Sequence, residues 1–425
     1  MRRIVCLLVL LAPIFPDAAL AAELLSDEQL ESVMEFRRWA HENPELGNHE
    51  FEAAERIATH LREMDLEVKT GIAVTGVVGV LDTGKPGPVV AVRADMDALP
   101  VTEKSGLPFA STKTTEFAGQ QVGVAHACGH DIHMSVGLGT AQALVNMKDE
   151  LRGTVMFIFQ PAEEGVPPGE KGGAEFMLEE GVFEELKPDA IFALHSFPDL
   201  EVGEIGYSVG PAFAATDHFV LTVNGEQTHG AYPHLGKDPI VIAAEIVGAL
   251  QTIDSRTINP RDPVVVTVGM IHGGERFNII PGSVEMEGTV RTYDKTVQDK
   301  TVERIKAIAN GITQAHGGSY ELIYNRNTPA VINDPALSEW AGETLRSELA
   351  DVEVQQMEPT MGGEDFAYFS NVVPGFYFRL GTLNPEEGSG GLHTPTFRAD
   401  GSSIPVGIKA MTALVTEYLE NPPKL

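Results

Sequence analysis

Residues 154–159, Thr-Val-Met-Phe-Ile-Phe, leave no polar face to a strand. A strand wetted on one side alternates apolar with polar side chains, whereas an unbroken apolar run has to be covered on both faces. The neighbouring patterns supply covers. Met134–Met147 puts Val136, Leu138, Ala141, Leu144 and Val145 on one broad helical face, and residues 27–41 and 49–65 show the same spacing around Phe36 and Leu61. Two strand-like runs, Gly76–Leu81 and Val89–Arg93, flank the turn-forming Gly84-Lys85-Pro86-Gly87. Strand, helix and buried strand in this order predict an α/β fold with a helix-sandwiched, mainly parallel sheet.

The pattern changes near Thr216. Phe219–Val223, Val264–Ile271, Val284–Arg291 and Ser319–Asn325 read as strands, and Pro239–Ile253 and Thr296–His316 as helices. That β-α-β-β-α-β order is a compact unit with both helices on one face of a four-stranded sheet. It predicts an inserted domain over 216–325. The first domain would then comprise 23–215 plus 326–425, closing with a helix near Pro335–Leu349, a strand at Gly375–Leu380 and a helix at Ile404–Leu419. A chain of 425 residues with 43% apolar content is long enough for two such cores.

Residues 1–22 read as a secretory signal peptide. Arg2 and Arg3 precede the apolar stretch Ile4–Phe15, and Ala19-Leu20-Ala21 supplies the small residues of a cleavage site. The apolar stretch is too short to span a bilayer core of ~30 Å, so the expectation is export, periplasmic or secreted, with no membrane attachment after cleavage. Cys6 leaves with the signal, and a mature chain whose only thiol is Cys128 has no internal disulfide. Acidic residues outnumber basic ones 61 to 30, a formal charge of −31; losing two Arg and one Asp with the signal lowers it by one, to −32. Such a field repels phosphate backbones, which argues against nucleic acid as a partner. An anionic small substrate would need a local cation.

The densest chemistry is HACGHDIH at 126–133, three of the chain's 13 histidines plus the only mature cysteine. Imidazole, thiolate and carboxylate in one loop have the composition of a first-row metal site. Cys128 and His130, separated by a glycine, can turn toward one point from a loop. His126, Asp131 and His133 are read as hydrogen-bonded supports for the ligating groups. The bland alternative is a solvent-facing loop with a structural cysteine.

QPAEEG at 160–165 follows the buried strand, at the carboxyl end where open α/β sheets hold ligands. Adjacent Glu163 and Glu164 diverge on extended backbone, so one can bind metal while its neighbour faces the substrate. His195 ends the apolar run Ala190–Leu194, and His393 lies in GLHTP beyond the strand Gly375–Leu380. Either histidine alone reads as an ordinary core or surface residue; together with the two clusters they read as ligands.

VRADMDALP (92–100), HACGHDIH, QPAEEG, ALHS (193–196), NIIPG (278–282), MGGEDFAYF (361–369) and GLHTP occur in the order found in the M20 metallopeptidase family. From about Phe36 to Leu419 the chain resembles that family's amidohydrolase branch, which includes hippurate, indole-acetyl-amino-acid and other N-acyl-amino-acid hydrolases. The resemblance implies that Cys128, His130, Glu164, His195 and His393 hold two divalent metal ions per subunit, manganese or zinc, with cobalt or nickel also compatible. It implies Glu163 as general base. The inserted domain would be a lid and homodimer surface from which His229 reaches the partner subunit's site. Asn278 and Arg291 would hold the substrate carboxylate, and Arg291 would be the local cation that the charge argument requires. Asp95 and Asp97 would either orient the ligands or cap the turn after Val89–Arg93. Three stretches depart from the family pattern: extra residues between Ser111 and His126, the stretch VPPGEKGGAEF after QPAEEG, and Gln227-Thr228 before His229. All three flank the expected pocket and bear on substrate identity.

The expected activity is metal-dependent hydrolysis of the amide bond of an N-acyl amino acid. A metallo-carboxypeptidase or dipeptidase acting on short peptides with a free carboxylate is a close variant. Two other classes fit parts of the pattern: a non-catalytic metal-stabilised binding protein, and a thiol hydrolase using Cys128 as nucleophile. Glu163 speaks against the first, because a closed structural site has no use for a spare carboxylate.

Overall fold

A computed structural model describes residues 24–167 and 169–425. The signal peptide expected over 1–22 lies outside the described residues. Among them, no helix is long and apolar enough to cross a membrane.

An eight-stranded sheet organises the molecule. In spatial order its strands are Glu67–Ile72, Gly76–Asp82, Thr154–Gln160, Val89–Asp95, Ala190–Glu201, Gly375–Leu383, Glu204–Tyr207 and Glu353–Gln356. Four of the seven pairings are parallel, and the other three are antiparallel. The fold is the mixed α/β architecture expected, with a mainly parallel sheet. Thr154–Gln160 is buried on both faces because two separate apolar clusters cover it. Phe157 and Phe159 pack toward the helices His130–Asn146, Ser403–Glu420, Asp27–Glu42 and Phe51–Glu63, while Met156 and Ile158 pack toward Gly173–Glu179 and Ala367–Ser370. Alternation at period two therefore sorts each central strand: Phe192, Leu194, Phe376 and Phe378 face the first cluster, and Ile191, Ala193 and Tyr377 the second.

Local sequence fixes the helix starts. Ser26 and Gln29 form a reciprocal capping box. Asp238 and Asp334 cap helices that begin with proline, and Asp294 caps Lys295–Ala315.

Residues 215–328 contain a second, four-stranded antiparallel sheet in the order Val264–His272, Ser283–Thr292, Ala215–Asn224, Ser319–Thr328. Its helices, Pro239–Leu250 and Lys295–Ala315, cover one face around Phe219, Ile246, Met286 and Ile305.

Two local expectations change. The helix after HACGHDIH begins at His130, four residues before Met134, so His130, Asp131 and His133 are helical and only His126–Gly129 precede the helix. His195 does not end its strand, which continues to Glu201. Two of the departing stretches have structure: 114–123 is a hairpin, Thr114–Phe117 paired with Gln120–Gly123, and Gly173–Glu179 is a helix.

Candidate metal centre

The site forms where four chain segments meet at the carboxyl ends of the central strands. Gly129 makes the first turn possible. Its φ is 87°, and a Cβ there would lie 2.1 Å from Ser196 Oγ, so only glycine fits both the left-handed backbone and the contact. The turn sends Cys128 to one side and starts the His130 helix on the other. Ala162 in QPAEEG and His393 in GLHTP also adopt positive φ, 52° and 62°, a strained conformation that structures retain where surroundings over-determine it. Glu50 accepts the Ala162 N–H at 2.8 Å, and the His393 N–H donates to Ala127 O at 2.8 Å. The His393 bond ties the fourth segment to the first, and the Glu50 bond holds the second in its turn.

Cys128 Sγ lies 3.3 Å from His195 Nε2 and 3.3 Å from His393 Nε2. Glu164 Oε1 is 3.0 Å from His393 Nε2. His130 Nε2 is 3.9 Å from both Glu163 Oε2 and Glu164 Oε1. Ligands at 2.0–2.3 Å from one ion stand roughly 3–3.6 Å apart, so the spacings among Cys128, His195, His393 and Glu164 suit shared cations, and the 3.9 Å from His130 to each glutamate is slightly wider. The orientation of the groups agrees. Glu164 Oε1 and His130 Nε2 are buried without a hydrogen-bond partner despite these close neighbours, so the pairs sit near each other but are not aimed as donor and acceptor. Buried polar atoms left in this state call for a further partner, and S, N and O donors together fit a divalent ion. Overlapping donor groups result, among them Cys128 with His130 and His195, Cys128 with Glu164 and His393, His130 with Glu163 and Glu164, and His130 with Asp95 and His133.

The supports are hydrogen bonds that fix tautomers and orientations. His195 Nδ1 donates to Ser196 O at 2.7 Å, leaving Nε2 as the lone pair facing Cys128. The Ser196 N–H donates to His133 Nε2 at 2.7 Å, so His133 donates through Nδ1 to Asp95 Oδ1 at 2.5 Å. Asp97 accepts the Glu164 N–H at 2.9 Å and stands 3.2 Å from His130 Nδ1. Asp131 faces away, accepting from Arg37 Nε and His41 Nδ1, each at 2.9 Å. His126 is buried beside Asp131, and burial drops its imidazole to about 3.

The electrostatics describe a cation-hungry pocket. Burial, reinforced by the Glu164 and Glu163 carboxylates, pushes the Cys128 thiol well up. Burial and the Glu364, Glu164 and Asp365 carboxylates hold Glu163 well above the carboxylate range. Burial opposes charge on His130, yet Asp95 and Asp97 override it and raise the imidazole to about 10. Burial and the neighbouring His133 lower His195 to about 3.

Behind Glu163 lies a group that the residue patterns did not single out. Arg93, 2% exposed, donates to Asp95, to Glu364 Oε1 at 2.9 Å, to Asp365 Oδ1 at 3.1 Å and to Gln160 Oε1 at 2.8 Å. Tyr377 donates its hydroxyl to the other Glu364 oxygen, Oε2, at 2.5 Å. Glu364 and Asp365 come within 4.8 Å of Glu163 in a further cluster. The signal that could have found them is the acidic pair inside MGGEDFAYF.

The remaining candidates divide. His229 is exposed and pairs with Ile279, and the Asn278 carbonyl accepts the Gly230 N–H at 2.8 Å, so His229 and Asn278 adjoin. Arg291 lies at the other end of the strand Ser283–Thr292, where a Cβ on Gly363 would be 3.4 Å from its Nη1. Eight residues of strand from Ser283 to Arg291 span roughly 27 Å. Within one chain, therefore, Arg291 borders the Glu364 segment, and Asn278 with His229 does not share its position.

Residues 91–417 match the sequence profile of peptidase family M20/M25/M40. An N-acetyl-L-cysteine deacetylase of Bacillus subtilis is 37% identical over 369 residues, 87% of this chain and 84% of that protein. Thermostable carboxypeptidase 2 of Saccharolobus solfataricus is 37% identical over 389 residues, 91% and 95% of the two chains. The Bacillus subtilis YXEP protein, described as a dinuclear metal-binding peptidase from the M20 family, superposes with a TM-score of 0.79 at 34% identity, covering 93% of this chain and 99% of that one.

Proposed function

Because this chain belongs to peptidase family M20/M25/M40 and is a metal-dependent hydrolase, we propose that it hydrolyses the amide bond of N-acyl amino acids, releasing a carboxylic acid and a free amino acid. The convergence of His195 and His393 on Cys128 Sγ, with Glu164 between His393 and His130 and Glu163 alongside, carries the reading. In it, Cys128, His130, Glu164, His195 and His393 hold two divalent ions, manganese or zinc. Such ions, when bound, polarise a carbonyl and lower the pKa of water.

The chain's own residues do the rest. Glu163 takes the proton of the attacking water and returns it to the departing amine nitrogen, a double role suited to a carboxylate shielded from bulk water. Arg291 grips the substrate carboxylate in two places, countering the repulsion of the acidic surface. His229 and Asn278 serve the site of a partner subunit across a homodimer, His229 donating to the developing oxyanion; their separation from Arg291 within one chain supports that arrangement. Export through residues 1–22 belongs to the same reading, and N-terminal sequencing of the protein recovered outside the cytoplasm tests it.

Purified protein, stripped with chelator and reconstituted with Mn²⁺, Zn²⁺ or Co²⁺, should be assayed on acetyl-, benzoyl- and indole-acetyl-amino acids and on dipeptides. Metal-restored turnover of the N-acyl amino acids is expected. Turnover of dipeptides alone would favour the carboxypeptidase variant, and activity that survives chelation would favour the thiol hydrolase.

A further inference from the structure

Two arginines at this site have opposite surroundings. Arg93 is saturated with carboxylates. Arg379 is 7% exposed, yet among the described residues its guanidinium has one protein acceptor, the Glu358 carbonyl at 3.0 Å from Nη2, and forms no ion pair. Its flat face rests on Phe197, 4.9 Å from the ring centroid. Burying a guanidinium without a counter-charge is costly, and a chain with 61 acidic residues had many to offer.

The position of Arg379 points to what the missing charge is. It pairs in register with His195 on the adjacent parallel strand, roughly 4.8 Å away along the sheet, and parallel partners project to the same face. That face also carries Tyr377, which bonds Glu364. Next to Glu364, Gly363 packs beside Arg291, and two residues on from Arg291 lies Tyr293. Burial raises the Tyr293 hydroxyl, and the Arg379 guanidinium opposes that rise. Arg291 likewise forms no ion pair among the described residues; burial lowers its guanidinium and Asp217 opposes that. Two guanidinium groups without a counter-charge thus stand near the metal-ligand cluster, Arg379 in register with His195 and Arg291 beside the segment that carries Glu364.

We propose that Arg379 is a specificity residue that binds a second carboxylate of the substrate, while Arg291 takes the first. The enzyme then favours N-acyl amino acids carrying two anionic groups. The inference rests on the amidohydrolase reading above and names its substrate class. The second carboxylate belongs either to the amino acid, as in glutamate, or to a dicarboxylic acyl group; the chemistry at Arg379 is the same.

The test uses metal-loaded full-length mature enzyme and two matched pairs: N-acetylglutamate against N-acetylglutamine, and N-succinylmethionine against N-succinamoylmethionine. The wild type should favour the dianion in one pair by tenfold or more in kcat/KM, and that pair identifies the source. Arg379→Gln should bring the ratio to within twofold of unity, and Arg379→Lys should retain part of it. No preference in either wild-type pair, or an unchanged ratio in Arg379→Gln, overturns the proposal. Calorimetric binding of glutarate provides a readout independent of turnover, with Kd expected to rise at least tenfold in Arg379→Gln. Should no N-acyl amino acid be hydrolysed, the amidohydrolase reading fails, while equal glutarate affinities in wild type and Arg379→Gln would reject the role of Arg379 by itself. If Arg379→Gln does not fold, the wild-type ratios and Arg379→Lys decide.

Discussion

Asp97 holds Glu164 by its backbone: the Asp97 Oδ2 atom accepts the Glu164 N–H at 2.9 Å, while Oδ1 stands 3.2 Å from His130 Nδ1. One buried carboxylate thereby fixes the backbone of one candidate ligand and adjoins the ring of a second from a different segment. Removing it in Asp97→Ala should weaken metal binding by about 10–100-fold, the usual cost of losing such a support. Metal titration of the stripped variant measures this, and wild-type affinity would show that Asp97 does not orient the ligands.

Glu163 is the carboxylate of the cluster assigned to proton transfer. Glu163→Gln keeps its shape and removes its basicity, so kcat should fall by about 10²–10⁴-fold with metal content and thermal stability close to wild type. Loss of metal in parallel with activity would make Glu163 a ligand instead.

Gly129 is packed where no side chain fits. Gly129→Ala combines left-handed strain, about 1–2 kcal/mol, with the clash against Ser196 Oγ, and should both lower stability and reduce metal affinity by moving His130. Urea unfolding of Gly129→Ala, of Ser196→Gly and of the double variant separates the two effects, since Ser196→Gly alone measures the loss of the Ser196 Oγ hydrogen bond to Cys128 O at 2.8 Å. A double variant that loses as much as the two single variants summed would leave backbone strain as the whole effect.

His41 gives the fold a pH dependence away from the metal ligands. Burial alone would depress its imidazole, but Asp131 at 2.9 Å and Glu103 at 3.0 Å raise it to about 9. A raised histidine contributes stability that is complete below its unfolded pKa near 6.5 and is lost as pH climbs through the folded value. The full contribution is about 3 kcal/mol. The stability difference between wild type and His41→Gln should therefore be largest at pH 6 and shrink toward pH 10, read from unfolding curves at each pH. A difference that stays constant across that range would mean His41 is neutral in the fold.

Much of this protein was legible in its chain. The two-faced burial of Thr154–Gln160 followed from its unbroken apolar pattern, and the helix and strand periods of 216–325 were strong because each element has one wet face. The polar hairpin at 114–123 was not legible, because Thr, Gln and Glu on a two-stranded ribbon leave no apolar alternation to read. The early start of the His130 helix was hidden by its motif, whose histidines and aspartate are buried by neighbouring segments and not by a helical apolar stripe.

Residue types and local order fixed which donors exist and which strand ends carry them: Cys128, His130, Glu163, Glu164, His195 and His393. Only the tertiary structure decided who stands next to whom. Arg93 and Arg379 are both single cations on apolar strands, indistinguishable by pattern, yet one is met by three carboxylates and the other by a carbonyl and a phenyl ring. Asn278 and Arg291 are near in sequence and far apart along an extended strand. Periodicity is a property of neighbours along the chain, whereas charge pairing depends on partners up to hundreds of residues away, and those meet only when the sheet has set its strand order.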